Sequence, residues 1–217
     1  GGYYEPGNDN DKCFEYNGSS WTNGGDLATG TYLHGAAGIL TAGLVVAGHP
    51  DNYVQTQEYD GTNWTNVPGD LNTGRRNLNA TGTQTAALAC AGYTPGGSPE
   101  FPLSNESYDG SSWTANPNQN FMRSNGVASG PSTSAMSVAG SSPSSAHNDT
   151  TMDQWNGTIW STGPSIATRR YQPGHGGNGK GATGIITGGH TGTAFTNATE
   201  EFTLESTALN LKTITDS

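Results

Sequence analysis

A six-residue phrase returns four times along the chain, and its spacing limits the folds that the chain can adopt. Each copy begins with an aromatic residue, continues with Asn-Gly or Asp-Gly, and ends in Trp. The four copies are Tyr16–Trp21, Tyr59–Trp64, Tyr108–Trp113 and Trp155–Trp160. A degraded fifth copy around Phe202 lacks the turn and the second aromatic residue. Successive anchors are 43, 49, 47 and 47 residues apart, and this period, with few helix formers, predicts an array of small sheets.

Composition supports a folded β domain. Only 31% of the 217 residues are hydrophobic, a level that also occurs in disordered chains. However, 9 Tyr, 5 Trp and 5 Phe recur in register, which favours many short strands joined by tight turns. We therefore expect one domain over residues 1–217. Its repeat units are expected at about 1–21 (a half unit), 22–64, 65–113, 114–160 and 161–211.

The unit from Arg75 to Trp113 predicts four antiparallel strands. These cover 78–81, 85–92 and 106–108, and the fourth begins at Trp113. A short turn at 82–84 joins the first two strands. Asp109-Gly110 predicts a type I′ hairpin turn, which needs positive φ at both central residues. Four antiparallel strands per repeat without a helix are typical of one β-propeller blade.

Other landmarks repeat with the aromatic residues. A glycine closes the second strand of each unit, at Gly48, Gly92, Gly140 and Gly189. Apolar residues that follow the tryptophans are expected to pack between blades, at Leu27, Leu71 and Ile166. Arginines begin the innermost strands, at Arg75, Arg76, Arg123, Arg169 and Arg170, whereas the first unit has Thr31-Tyr32 there.

The order of these landmarks resembles the kelch family of β-propellers. Gly-Gly or Ala-Gly, then Tyr preceded by Glu, then Trp, then Arg follows the kelch pattern over nearly the whole chain. The spacing from Tyr to Trp is one residue shorter than is usual in kelch repeats. Residues 71–76 and 82–89 are also similar to kelch-like structural proteins of aquatic bacteriophages. The resemblance implies a propeller that is a component of a virion or an extracellular appendage.

The predicted strands amount to four and a half blades, which leaves the closure of the propeller open. Residues 13–21 could pair with the last inner strands at 171–189, leaving residues 203–217 as a tail. Alternatively, residues 200–211 complete the last blade, and the N-terminal half blade needs missing chain or a neighbouring subunit as its partner. An unpaired half blade is an exposed sheet edge, which proteins normally cover.

Strand alternation predicts that the longest and most variable loops share one face. Variable loops on a rigid scaffold commonly carry binding sites. The residue after each closing glycine would line this rim, at Tyr3, His49, Tyr93, Ser141 and His190. Arg75, Arg123 and Arg170 are expected near the channel mouth. The functional hypothesis is a rim that binds a glycan or protein receptor, and the alternative is ordinary loop packing.

Charge and hydropathy argue against several classes of partner. A net charge of −10 with no basic stripe disfavours nucleic acid. No apolar run approaches the length of about 20 residues that a spanning helix needs, so membrane insertion is not expected. Cys13 and Cys90 could form a disulfide or remain free thiols.

No motif predicts a cofactor or a catalytic centre. The five histidines lack close metal-ligand spacing, and the acidic residues form no complete calcium loop. We therefore predict no metal or cofactor and a non-enzymatic structural or adhesive module on a virion or outside the cell. A self-assembling subunit of a filament or multimer is one alternative, in which neighbouring copies are the partners. A carbohydrate-active propeller enzyme is the other.

Overall fold

The computed structural model describes residues 11–50, 53–142, 150–176, 183–204 and 209–214. Within these ranges the chain forms β-strands and turns and no helix, which confirms the all-β prediction. The strands form one two-stranded hairpin and four four-stranded antiparallel sheets.

The sheets follow one another along the chain. The N-terminal hairpin consists of β1 (Phe14–Tyr16) and β2 (Trp21–Asn23). Sheet 1 contains β3 (Gly35–Ile39), β4 (Ala42–Val46), β5 (Thr56–Tyr59) and β6 (Trp64–Val67). Sheet 2 contains β7 (Asn79–Thr83), β8 (Ala86–Cys90), β9 (Asn105–Tyr108) and β10 (Trp113–Asn116). Sheet 3 contains β11 (Val127–Ser129), β12 (Ala135–Val138), β13 (Met152–Trp155) and β14 (Trp160–Thr162). Sheet 4 contains β15 (Gly174–Gly176), β16 (Thr183–Thr187), β17 (Thr199–Leu204) and β18 (Leu209–Ile214).

Each sheet pairs its strands in sequence order, and the first strands of consecutive sheets pack against each other. Thus β3 contacts β7, β7 contacts β11, and β11 contacts β15. This arrangement is compatible with propeller-like blades. Among the described strands, no packing of this kind is seen between β15 and β3.

The repeated hairpin turn differs from the predicted type I′ turn. Gly18, Gly61, Gly110 and Gly157 have positive φ, between 90° and 96°, but the preceding Asn or Asp does not. Instead, the side-chain oxygen of that residue accepts hydrogen bonds from the backbone N–H groups two and three positions later. At Asp109, the acceptor distances to the nitrogens of Ser111 and Ser112 are both 2.8 Å. The Asn or Asp therefore holds the turn through its side chain.

The turn between the first two strands of sheet 2 is also displaced from its predicted position at 82–84. In sheet 2 the strands extend to Thr83 and resume at Ala86, so the loop is Gln84-Thr85. Gly82 lies inside β7, opposite Ala87, with φ of 107°. A glycine usually marks a turn, but here it occupies a strand position with positive φ next to the hairpin.

The predicted closing glycines end the second strands through a shared backbone feature. Gly48, Gly92, Gly140 and Gly189 have φ between 99° and 117°. The preceding residues, Ala47, Ala91, Ala139 and Gly188, have φ of 61° to 62°. Two successive positive φ values redirect the chain from the strand into the long loop, which explains why small residues recur there.

The repeat aromatic residues form the cross-strand pair at the start of each outer hairpin. Tyr59 pairs with Trp64, Tyr108 with Trp113 and Trp155 with Trp160. The ring centroids in these pairs lie 5.0 to 5.3 Å apart. Ala87, Ala135 and Gly184 lie opposite the third-strand aromatic residues of sheets 2, 3 and 4. Small second-strand residues therefore make room for the rings.

The predicted packing residues Leu27, Leu71 and Ile166 are all buried. Leu71 belongs to a core shared by sheets 1 and 2, and Ile166 to a core shared by sheets 3 and 4. Gln119 occupies the equivalent loop position between sheets 2 and 3 and is buried as well. The core therefore lies between consecutive sheets. At the position that Leu71 and Ile166 fill in their interfaces, the interface between sheets 2 and 3 has the polar Gln119.

Sheet 4 takes all four of its strands from the C-terminal end of the described chain. This distinguishes between the two closures that the sequence left open. β17 pairs with both β16 and β18, so residues 199–204 and 209–214 belong to sheet 4. β1 and β2 pair only with each other among the described strands. The first closure, in which residues 13–21 pair with the strands at 171–189, is therefore wrong.

The two cysteines are free thiols, Cys13 half-buried and Cys90 buried. Burial raises the pKa of Cys90 to about 11. The part of the chain that the structure describes holds no helix with the length and apolar character needed to cross a bilayer.

Candidate functional site

In every sheet an isolated β-bridge brings the loop before the first strand to the loop after the second. The bridges are Tyr32–His49, Arg76–Tyr93, Ser124–Ser141 and Tyr171–His190. Their equivalent positions place the predicted rim residues His49, Tyr93 and His190 at the same level of three different sheets. Ser141, also predicted for the rim, occupies this position in sheet 3, and the fifth predicted rim residue, Tyr3, lies outside the described residues. We refer to the bridge residues and the rings that touch them as the loop rim.

Sheet 1 presents a cluster of three rings at the loop rim. The His49 ring lies between Tyr32 and Tyr53, with centroid distances of 5.0 and 5.9 Å. All three side chains are half-buried. The rings support one another and remain partly accessible, so this cluster offers ring surface to a ligand at small cost in side-chain ordering.

Sheet 4 repeats the arrangement with a different third ring. His190 lies 5.3 Å from Tyr171 and 5.0 Å from Phe195, and the Phe195 ring is almost fully exposed. The backbone N–H of Gly192 donates to Nδ1 of His190 at 2.9 Å. A neutral imidazole held in this way carries its proton on Nε2, which makes that atom a hydrogen-bond donor.

Sheet 2 places a cation beside its rings. Phe101 lies 5.4 Å from Tyr93, and the guanidinium carbon of Arg76 lies 5.3 Å from the centre of the Tyr93 ring. Tyr93 also donates its hydroxyl to Glu100 at 3.3 Å. In sheet 3 the bridge at this level joins Ser124 and Ser141. The described part of the loop rim therefore contains three ring clusters and one serine pair.

The structure places the three predicted channel-mouth arginines in buried ion pairs. Arg75 pairs with Glu106 at 3.2 Å, Arg123 with Asp153 at 3.1 Å, and Arg170 with Glu200. All six side chains are essentially inaccessible to solvent. Their guanidinium groups have no surface that a ligand could contact, and we assign them a structural role.

The carboxylate of each pair also holds the loop that leads into the same sheet. Glu106 accepts from the backbone nitrogens of Asn72 and Thr73 at 2.7 and 3.2 Å. Asp153 accepts from Asn120 and Phe121, and Glu200 accepts from Ala167 and Thr168. We call each arginine, acid and loop together a loop clamp. Loop clamps fix the backbone directly before the bridge residues of the loop rim.

In sheet 1, uncharged side chains hold the equivalent loop. Gln57 stands at the acid position, accepting from Thr29 N at 3.1 Å and donating to Thr29 O at 2.8 Å. Thr31 stands at the arginine position and donates to Ala47 O at 3.1 Å. Both members of the charged pair are replaced together, so no buried charge is left without a partner.

Sequence reasoning found the arginines but missed their acidic partners. The available signal was an acid or amide two residues before each third-strand aromatic residue, at Gln57, Glu106, Asp153 and Glu200. In a β-strand, residues two apart share a face, so this residue lies beside the aromatic anchor. When the repeats are aligned on this aromatic residue, Arg recurs together with an acid, and Thr31 occurs together with Gln57.

The described residues contain no cluster of three His, Cys, Asp or Glu side chains able to hold a metal ion. His34 is half-buried, and desolvation of its ring lowers its pKa to about 4, so it is neutral at physiological pH. A scan against protein-family models finds no match to this chain, and a search of curated proteins finds no similar sequence.

Proposed function

We propose that this chain is a kelch-type β-propeller module without catalytic activity that binds a glycan or protein receptor through the loop rim. The observation that carries the proposal is the recurrence of a supported ring cluster at one level of sheets 1, 2 and 4. Loop clamps in sheets 2 and 4, and the uncharged contacts of Thr31 and Gln57 in sheet 1, anchor the loops beneath these clusters. Rigid rings on anchored loops are well suited to recognition, because little conformational entropy is lost on binding.

The chemistry of the rim favours an uncharged ligand. Tyr, His and Phe combine flat apolar faces with polar edges, which suits the faces and hydroxyls of sugar rings or a polar protein surface. The chain carries a net charge of −10, which disfavours acidic ligands. The resemblance to phage structural proteins and the low lysine and arginine content support a place on a virion or outside the cell.

Binding is tested with the full chain on a glycan array and by capture of host envelope proteins. The triple variant Tyr93→Ala, His49→Ala and His190→Ala should lose most of the signal. Ile159→Ala is the matched control, because Ile159 is an exposed apolar residue in an outer hairpin turn, at the opposite strand ends. Undiminished binding by the triple variant would refute the loop rim as the contact surface.

A second candidate function, self-assembly, is favoured by the N-terminal hairpin. Phe14, Tyr16 and Trp21 are 60%, 48% and 69% exposed, whereas Trp113 and Trp160, which are equivalent to Trp21, are buried. Exposed aromatic residues beside an unpaired strand edge are typical of a surface that another chain covers. In this candidate, neighbouring copies associate through the hairpin.

Assembly is tested by sedimentation over a range of concentrations. The double variant Phe14→Ser and Trp21→Ser should shift the population toward monomer if the hairpin is the contact. The double variant Ile39→Ser and Ile159→Ser is the control. It also removes two exposed apolar side chains, but at sites away from the hairpin. A wild-type chain that is monomeric at every concentration argues against this candidate.

A further inference from the structure

The interfaces between consecutive sheets are built from four equivalent positions, and one interface differs from the others. Three positions lie side by side on the first, second and third strands, and the fourth is the loop residue that enters the next sheet. Between sheets 3 and 4 these residues are Val127, Val138, Met152 and Ile166, which pack in one apolar cluster. Between sheets 1 and 2 they are Gly35, Val46, Thr56 and Leu71. Between sheets 2 and 3 they are Asn79, Cys90, Asn105 and Gln119.

The polar side chains of this third set are deeply buried. Asn79, Asn105 and Gln119 are only 7%, 1% and 2% exposed. Within the described part of the chain, Nδ2 of Asn79 and both amide atoms of Asn105 and Gln119 have no hydrogen-bond partner. Native proteins rarely leave buried amides unsatisfied, so five such atoms at one interface require an explanation.

A tryptophan at the same interface also lacks the partner that its counterpart has. Trp113 donates from Nε1 to Oγ1 of Thr56 at 2.9 Å, across the interface between sheets 1 and 2. The equivalent residues in the next interface are Trp160 and Asn105, and Nε1 of Trp160 has no partner among the described residues. Trp160 packs in the same cluster as Cys90, which pairs with Asn105 across β8 and β9. These groups therefore lie at one site.

The chemistry of the unsatisfied atoms identifies the kind of ligand. The site offers N–H donors from Asn79, Asn105, Gln119 and Trp160, and carbonyl acceptors from Asn105 and Gln119. A molecule that both donates and accepts can satisfy them together. The charged groups that act on Cys90, namely Arg75, Arg123 and Asp153, all belong to the ion pairs of loop clamps, so the site has no net charge to attract an ion. Buried water satisfies polar groups in this way, with about three hydrogen bonds for each molecule.

We propose that the interface between sheets 2 and 3 is a buried hydration site, in which ordered water bridges Asn105, Gln119 and Trp160, with Asn79 at its edge. The adjoining interfaces remain dry, because their equivalent positions are apolar except for Thr56, whose hydroxyl already accepts from Trp113. The repeat array thus contains one wet interface between two dry ones.

A high-resolution crystal structure of the full chain tests the proposal. Water density is expected at hydrogen-bond distance, about 2.7 to 3.2 Å, from the amides of Asn105 and Gln119 and from Nε1 of Trp160. No such density is expected beside Leu71 or Ile166, the apolar counterparts of Gln119. Direct hydrogen bonds among the amides and the indole, without water, would overturn the proposal, as would a buffer molecule or ion in their place.

The variant Asn105→Thr with Gln119→Leu transplants the residues of the dry interface between sheets 1 and 2. We expect Thr at position 105 to accept from Trp160 as Thr56 accepts from Trp113, and the bridging water to be lost. Water that persists unchanged in this variant contradicts the assignment of the ligating side chains. If the variant does not fold, magnetic relaxation dispersion of water protons on the wild-type chain still decides, since absence of long-lived internal water refutes the site.

Discussion

At the residue scale, the repeated turn depends on one side-chain oxygen. Asn17, Asp60, Asp109 and Asn156 each accept two backbone hydrogen bonds through that oxygen. Asn and Asp fill the position equally often, so the bonds do not require a charge. The charge matters only for how the turn responds to pH.

The hydrogen bonds to Asp109, first from the Ser111 hydroxyl and then from two backbone nitrogens, lower its pKa from 3.8 to about 2. A carboxylate with a lowered pKa in the folded state contributes stability above its unfolded pKa and loses that stability as pH falls toward 2. We expect Asp109→Asn to reduce the fall in unfolding free energy between pH 5 and about pH 2, while preserving the turn. Urea unfolding at several pH values measures this. An identical pH dependence in both proteins would contradict it.

The loop clamps are sensitive to removal of one charge at a time. Glu106→Gln leaves the buried Arg75 guanidinium without its carboxylate, and such a change typically costs about 3 to 5 kcal/mol. The double variant Arg75→Thr with Glu106→Gln reproduces the uncharged pair of Thr31 and Gln57, and we expect it to be more stable than the single variant. Denaturant unfolding of both variants measures the difference. A double variant no more stable than Glu106→Gln alone would contradict the argument from the unpaired guanidinium.

The two thiols should differ in reactivity. Cys90 is buried with a pKa of about 11, and alkylation requires the thiolate. Iodoacetamide should therefore modify only Cys13 in the folded protein and both residues after denaturation. Mass mapping of the labelled peptides measures this. Equal labelling of Cys90 in the folded state would mean that the interface between sheets 2 and 3 opens readily.

At the scale of elements, the loop that enters each of sheets 1 and 2 passes, at a glycine, very close to the last hairpin of that sheet. A Cβ atom at Gly69 would overlap the carbonyl oxygen of Ser111 in the outer hairpin of the next sheet, and Gly25 has the same relation to Thr62. These contacts involve backbone, so they cannot be relieved by rotating a side chain.

We expect Gly69→Ala to lower the midpoint of thermal unfolding because sheet 2 or its preceding loop must shift. Gly174→Ala is the matched control, since a Cβ there meets only ordinary contacts, at 3.4 Å or more, and its φ is not positive. Differential scanning calorimetry of the two variants measures the effect. A Gly69→Ala protein as stable as the control would remove the steric argument.

Much of the element pattern followed from sequence. Trp113 begins the fourth strand of sheet 2 as predicted, and Trp64 does the same in sheet 1, because aromatic cross-strand pairs need fixed register. The turn at Gln84-Thr85 was misplaced because Gly82 has positive φ within a strand, a conformation that sequence does not distinguish from a turn. The loop clamps were missed for a similar reason, since partners such as Arg75 and Glu106 are 31 residues apart and meet only after the sheet forms.

Only part of the loop rim could be predicted from the sequence. Position after the closing glycine located His49, Tyr93 and His190, because the repeat fixes that position in every sheet. Their ring neighbours Tyr53, Phe101 and Phe195 come from loops of unequal length, which have no shared register. The repeat therefore predicts where a site lies, but the variable loops determine what it contacts.

At the scale of the whole molecule, the N-terminal hairpin stands apart because its two strands pair only with each other among the described strands. It is held in register with sheet 1 by the Tyr59 hydroxyl, which donates to Glu15 as Tyr108 donates to Glu58 in the next sheet. No described strand pairs with the other edge of β1. We expect amide hydrogens of 14–23 to exchange faster than those of the equivalent strands 57–66, as measured by mass spectrometry. Equal protection would indicate that another segment or molecule covers the edge.

Each loop clamp lies wholly within one sheet and the loop that enters it, and no buried ion pair reaches from one sheet to the next in the described chain. A repeat gained or lost by gene duplication or recombination therefore carries its own balanced charges. Chains of this design can change their number of repeats without stranding an arginine, and the loops at the rim are then free to diversify from copy to copy.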